Sequence, residues 1–194
     1  MKTHLYIYED ELQQACIALG NGGTILYPTD TVWGIGCDAT DADAVRKVFA
    51  IKRRCDAKAM LVLLDTVEKL SLYVEEVPPV ALELMAQVCR PLTIIYRRAK
   101  NLAENLTAND GSVGIRITKE EFSNALCRKF GWPIVSSSAN ISGETAPVSF
   151  NDVTGEILNG VDYAVRYRHD DKTSAMPSMI IRLEGGNNYS IVRE

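Results

Sequence analysis

Short runs of β-branched and aromatic residues alternate along this chain with stretches whose apolar residues recur at helical spacing. That alternation narrows the fold to an α/β or α+β domain built on one twisted, mixed β-sheet flanked by helices. "HLYIY" reads as a strand and "DELQQACIALGNGG" as a helix with Leu12, Ala15, Cys16 and Leu19 on one face and glycines at its end. "TILYP" returns to strand. Asp41 or Asp43 is placed to cap a helix with an apolar stripe of Val45, Val48 and Phe49. "AMLVLL", "LTIIYRR", "VGIRIT" and "PIVSSS" read as strands, and helical patterns fall at 66–73, 79–89 and over "KEEFSNALCRKF", where Phe122, Ala125, Leu126 and Phe130 point inward. The last third is more β-like, with "VDYAVRY", "SMIIRL" and "YSIVRE".

With 194 residues and no internal repeat or low-complexity linker, the chain is expected to form a single domain over 1–194. A net charge of −4 argues against wholesale nucleic-acid binding and leaves room only for a local basic face. Five cysteines, odd in number, widely spread and never in a C-x-x-C arrangement, fit a reducing compartment better than a disulfide framework or a zinc site. No apolar stretch approaches the roughly 20 residues that span a bilayer, and the first residues lack a signal-peptide pattern; a cytoplasmic location is expected.

Several chemistries drop out. "GNGGTILYP" leads from a helix into a strand, so it is no phosphate-binding P-loop, and no G-x-G-x-x-G turn with its acidic partner is present. His4 and His169 are the only histidines, too few and too far apart in sequence for a helical metal pair, and a poor basis for a Ser-His-Asp triad. What remains is a set of strand ends bearing small hydroxyls and isolated cations. "YPTDTVWGIG" offers Thr29, Asp30 and Thr31; "VSSSANISG" offers serines and Asn140; Arg116 sits inside an apolar strand, where a guanidinium needs an anionic partner; Ser178 opens a strand and Arg193 closes the final hairpin. Strand ends of this kind are where α/β folds gather ligands. The cluster "FAIKRRCDAK", read by itself, is accounted for by neutralisation of a helix C-terminus.

The ordered series "YPTDTVWGIG", "IKRR", "RPLTIIY", "GSVGIRI", "PIVSSSANISG" and "PSMII" followed by "IVRE" resembles the YrdC family of threonylcarbamoyl-AMP synthases over nearly the whole chain. The resemblance implies a YrdC-like fold and an enzyme, a nucleotidyltransferase that makes threonylcarbamoyl-adenylate and pyrophosphate from L-threonine, bicarbonate or CO₂, and ATP. Its product would pass to the tRNA threonylcarbamoyl transferase machinery for modification of tRNA position 37. Carried over by position, Lys52 and Arg54 would hold the ATP phosphates and carry the catalytic step, with Lys58 nearby. Ser112, Asn140 and Arg193 would complete the ATP contacts. Thr31, Arg116, Ser138 and Ser178 would hold threonine or its carbamate. No residue is assigned to a metal; magnesium is expected through the nucleotide. The chain departs from the family's pattern at several positions: Trp33 stands where it commonly has Tyr, Leu63 where it has a His, and Ala59 and Met60 where it has Pro-Leu; the Pro after the Lys-x-Arg is absent and "CRPLT" replaces the usual Pro-Gly-Pro-like run. Two other readings stay open, a non-catalytic paralogue binding double-stranded RNA, tRNA or the ribosome, and a carbamoyl transferase with another acceptor.

Overall fold

The computed structural model describes residues 2–54, 60–171 and 177–194, with residues 2–7 described in backbone only. Its elements follow in the order α1 (Lys2–Gly20), β1 (Ile25–Tyr27), β2 (Gly34–Gly36), α2 (Ala42–Ile51), β3 (Leu61–Leu64), α3 (Leu70–Tyr73, entered through a 3₁₀ turn), α4 (Pro79–Gln87), β4 (Leu92–Tyr96), β5 (Val113–Ile117), α5 (Glu121–Phe130), β6 (Ile134–Ser138), α6 (Gly155–Gly160), β7 (Tyr163–Ala164), β8 (Met179–Gly185) and β9 (Asn188–Arg193).

One expectation is overturned at the start. "HLYIY" is not a strand; α1 begins at Lys2 and runs through it without a break. No Gly or Pro separates this run from the helix-forming "EDELQQ" that follows, so the helix, once nucleated, extends backward through it. The helix stops as the glycines predict: Gly22 takes a φ of +68°, and the Gly23 N–H bonds the Ala18 carbonyl at 2.9 Å. "VDYAVRY" is likewise strand only at Tyr163–Ala164. The buried Glu11 carboxylate of α1 captures the Arg166 N–H at 2.7 Å, which draws the chain off the sheet. The caps of α2 and α5 hold their places. Asp41 Oδ1 accepts the Asp43 and Ala44 N–H groups at 2.8 and 3.2 Å, and Glu120 accepts those of Phe122 and Ser123 at 3.1 and 2.7 Å.

The strands form one nine-stranded mixed sheet in the order β7-β1-β2-β6-β3-β5-β4-β8-β9. β3 runs parallel to β5 and antiparallel to β6, and β4 parallel to β8. Because side chains alternate across a strand, the sheet has two distinct faces. On one, Ile35, Val62, Leu64, Val135, Ile115 and Ile94 merge with Val45, Val48 and Phe49 of α2 and with α3 and α4 into the main core. On the other, α1 and α5 cover only the part around Ile25, Tyr27, Leu63 and Ile134, burying Leu12, Leu19, Phe122 and Leu126. Beyond them the second face is open. Among the described residues no helix is long and apolar enough to cross a membrane.

Candidate functional site

The open face is concave because its residues are small. Gly34 and Gly114 lie there beside Thr29, Thr93 and Ser136; a Cβ on Gly34 would stand 3.1 Å from the Thr29 methyl, and one on Gly114 3.3 Å from the Thr93 methyl. Larger side chains would fill the floor. The result is a cleft of about 360 Å³, a size suited to a small molecule, lined by Thr31, Arg54, Arg116, Ser138, Ser178 and Arg193 together with Thr29, Met60, Leu61, Thr93, Ser136 and Ser137. Six positions expected from the sequence to share a site therefore meet, from segments up to 162 residues apart between Thr31 and Arg193.

Arg116 projects from the middle of β5 and is buried, with Asp30 as its carboxylate partner at 3.1 Å. Burial lowers the Arg116 pKa and Asp30 opposes that shift; burial raises the Asp30 pKa and Arg116 opposes it in turn. Each charge is tolerated because the other is there. Ser178, at the entrance to β8, exchanges a hydrogen bond with the Thr93 hydroxyl at 3.0 Å. From β9, Arg193 reaches back to donate to the Ser178 carbonyl at 2.9 and 3.0 Å and to its hydroxyl at 3.1 Å. Thr29 donates its hydroxyl to the Val32 carbonyl at 2.7 Å and accepts the Thr31 N–H at 3.1 Å, which folds the Thr29–Val32 turn. With its proton so used, Thr29 Oγ1 can only accept from Thr31 Oγ1, 3.1 Å away, and the Thr31 lone pairs stay available.

A second cavity of about 330 Å³ adjoins the first and shares Arg54 and Ser138 with it; Lys52, Arg53, Asn140, Ser142 and Gly143 complete its lining. Lys52 caps α2, and its chain turns inward, so that only 2% of the residue is exposed. Its ammonium donates to the Asn140 carbonyl at 2.8 Å and to the Ser138 carbonyl, while the Lys52 carbonyl accepts the Ser142 N–H at 2.9 Å. The Ser-x-Asn turn is thus tied to the end of α2 on both sides. Burial, and next the charge of Arg54, pull the Lys52 pKa down to about 8. The Asn140 amide donates to the Ile141 and Glu144 carbonyls at 2.9 and 2.8 Å, which closes the same turn.

Not every expected residue joins. Ser112 is buried ahead of β5, its N–H on Asp110 at 3.0 Å, and lines neither cavity. Lys58 lies outside the described residues. Leu63 is fully buried beneath the cleft among Tyr27, Phe122 and Ile134 and presents no polar group to it. Thr93 is a lining residue that the sequence reading did not single out, its signal a hydroxyl within an otherwise apolar strand pattern; Ser136 is one of the serines that "VSSSANISG" offered. Trp33 is buried and joins Phe150 and His169 in one aromatic corner, with Phe150 and His169 stacked at 3.5 Å.

Fold and cleft define an α/β protein with a cationic, hydroxyl-lined hollow at the strand ends of a mixed sheet. Residues 18–194 match the family model described as "Telomere recombination" (Sua5_yciO_yrdC), and the chain belongs to that family. It is 30% identical over 161 residues to the threonylcarbamoyl-AMP synthase of Pseudoalteromonas translucida, a match covering 81% of this chain and 86% of that one. Among solved structures it resembles E. coli YciO, with a TM-score of 0.81 and 24% identity over 94% of this chain and 88% of that chain. It also resembles P. abyssi Sua5 complexed with L-threonine, with a TM-score of 0.83 and 24% identity. That match covers 94% of this chain and 53% of Sua5, so the chain spans about half the length of that protein.

Proposed function

We propose that this protein is an L-threonylcarbamoyladenylate synthase, converting L-threonine, bicarbonate or CO₂, and ATP into threonylcarbamoyl-AMP and pyrophosphate. The reading is carried by one observation: Thr31, Arg116, Ser138 and Ser178 line the same cleft as Arg54 and Arg193. In this reaction a carbamate oxygen attacks the α-phosphorus and the bond to the β-phosphate breaks, so anionic groups must be brought together. Fixed cations and hydroxyl donors are what that step needs. Arg116 takes the amino acid's carboxylate; the Ser138 and Ser178 hydroxyls stand beside the amino acid, and Thr31, whose proton goes to Thr29, accepts from it. Arg54 and Arg193 take the phosphates. Lys52 and Asn140 hold the Ser138–Ser142 turn in place, and Lys52 adds its charge to the phosphate side.

Magnesium would enter with the nucleotide, held through the triphosphate oxygens. Among the described residues no three His, Cys, Asp or Glu converge on one point. The product would pass to the tRNA threonylcarbamoyl transferase machinery. A second reading, a carbamoyl transfer to another acceptor, draws on Leu63, whose apolar, fully buried side chain offers the cleft nothing where the family's histidine would stand. One assay separates the two. Pyrophosphate release should require threonine and bicarbonate together; serine should outperform alanine and valine should fail, because a site built for a hydroxyl leaves its own polar groups unpaired when that hydroxyl is missing. Pyrophosphate formation indifferent to threonine would overturn the synthase reading in favour of the other acceptor.

A further inference from the structure

The Thr29–Val32 turn divides two hollows. Thr29 and Thr31 line the cleft, and the same turn lines a neighbouring cavity of about 210 Å³ that also holds Asp30, Trp33, Glu120 and Arg168. Asp30 lines this neighbouring cavity of about 210 Å³ and not the cleft, so it reaches a molecule in the cleft only through Arg116. The side chains of Arg116 and Asp30 are 3% and 11% exposed, deep enough for their pairing to escape most solvent screening. Of the two other carboxylates lining that hollow, Glu120 is engaged by Arg168 at 3.0 Å and by two N–H groups of α5, and Asp171 accepts from Arg168 Nε at 2.9 Å. Asp30 is thus the carboxylate left to neutralise Arg116. Neither Asp30 Oδ1 nor Arg116 Nε has a hydrogen-bond partner among the described residues, so the contact is a charge pairing that leaves the Nε donor unused.

We propose that Asp30 is a positioning residue: it holds the Arg116 guanidinium from behind, so that the remaining N–H donors stand ready for the carboxylate of an α-amino acid in the cleft. This role rests on the synthase reading. A guanidinium fixed before binding loses little freedom when the ligand arrives, and the affinity gained comes from that pre-organisation. Removing the Asp30 charge leaves Arg116 buried without its partner and free to turn toward neighbouring backbone or hydroxyl acceptors.

The test is calorimetric titration of the full chain with L-threonine and, separately, with ATP, for the wild type, Asp30→Asn and Asp30→Glu, alongside thermal unfolding. The expected result is a threonine Kd raised about tenfold or more in Asp30→Asn, about 1.4 kcal/mol, with the ATP Kd within about twofold of wild type. Asp30→Glu, which keeps the charge, should recover part of the loss. Should Asp30→Asn fail to fold, Asp30→Glu alone decides, with weakened threonine binding and unchanged ATP binding expected. Unchanged or tighter threonine binding in the variants would overturn the proposal, tighter binding meaning that Asp30 competes with the ligand. Parallel loss of both ligands would also overturn it, marking Asp30 as a residue of the fold only. A wild type that binds no threonine removes the synthase reading and this role together, whereas a wild type that binds it beside an unaffected Asp30→Asn removes the role alone.

Discussion

Lys52 and Arg116 are both buried cations, one lining the cavity of about 330 Å³ and the other the cleft it adjoins, and they are neutralised in opposite ways. The Lys52 ammonium rests on the backbone carbonyls of Ser138 and Asn140, with no carboxylate among its hydrogen-bond partners in the described residues, and burial drags its pKa down. Arg116 rests on a carboxylate, and its planar fork has more donors than Asp30 can use. The difference teaches what each is fit for. A point charge committed to loop carbonyls is a fastening, and its loss loosens a turn. A guanidinium with donors left over is a hand held out toward the cleft.

The sharpest way to break this distinction is Arg116→Met. Removing a charged, bidentate partner of the ligand carboxylate should weaken threonine binding by about 100-fold or more while ATP still binds, since each charge-assisted hydrogen bond is worth about 1.5–3 kcal/mol. Titration with both ligands checks it; equal loss of ATP binding would mean that Arg116 supports the whole cleft. Lys52→Met comes next. It strips two carbonyls of their donor, so unfolding free energy should fall by about 2–4 kcal/mol, with ATP affinity falling alongside because the turn carrying Ser138 slackens. Chemical denaturation beside ATP titration reads both quantities, and a variant of unchanged stability would show the fastening to be dispensable. Asn140→Ala should cost about 1–2 kcal/mol of stability through its bonds to Ile141 and Glu144, together with a loss of turnover. A loss of turnover with no loss of stability would instead make Asn140 purely a ligand contact.

The smallest effect is one of pH. The folded pKa of Lys52 is lowered from 10.5 to about 8, so between those values the unfolded chain binds a proton that the folded chain does not. Stability from this group therefore rises with pH across that window and is flat below it. The difference in unfolding free energy between wild type and Lys52→Met should widen in favour of wild type from pH 8 toward pH 10.5. A constant difference would show that Lys52 titrates at its ordinary value.

Much of this was legible in the sequence. The apolar stripe of α2 and its Asp41 cap, the Glu121–Phe130 helix and the strands around Arg116 follow from periodicity and turn residues, because those signals are local. "HLYIY" failed for a local reason too: a short apolar run has no periodicity long enough to tell strand from helix, and its neighbours decided. The site was legible as a set of residue types, since an Arg in an apolar strand must have a partner. Direction was not. Nothing in "IKRR" says that Lys52 turns inward to the 138–142 turn, because that depends on where a segment 86 residues later is laid beside the end of α2. Nor does "PTDT" say that Asp30 faces away from the cleft its neighbours line.

The aromatic corner has an optical consequence. Trp33 is 5% exposed and packed edge-on against Phe150 and His169, whereas Trp132 is 57% exposed on the far side of the Gly131 turn. A collisional quencher such as iodide will extinguish Trp132 first and leave a bluer emission that belongs to Trp33. Trp33 directly follows the Thr29–Val32 turn and lines the hollow on the side of that turn where Asp30 lies, so the residual light originates there and not in the cleft itself. The molecule carries its own unlabelled fluorescence gauge of the turn between the two hollows.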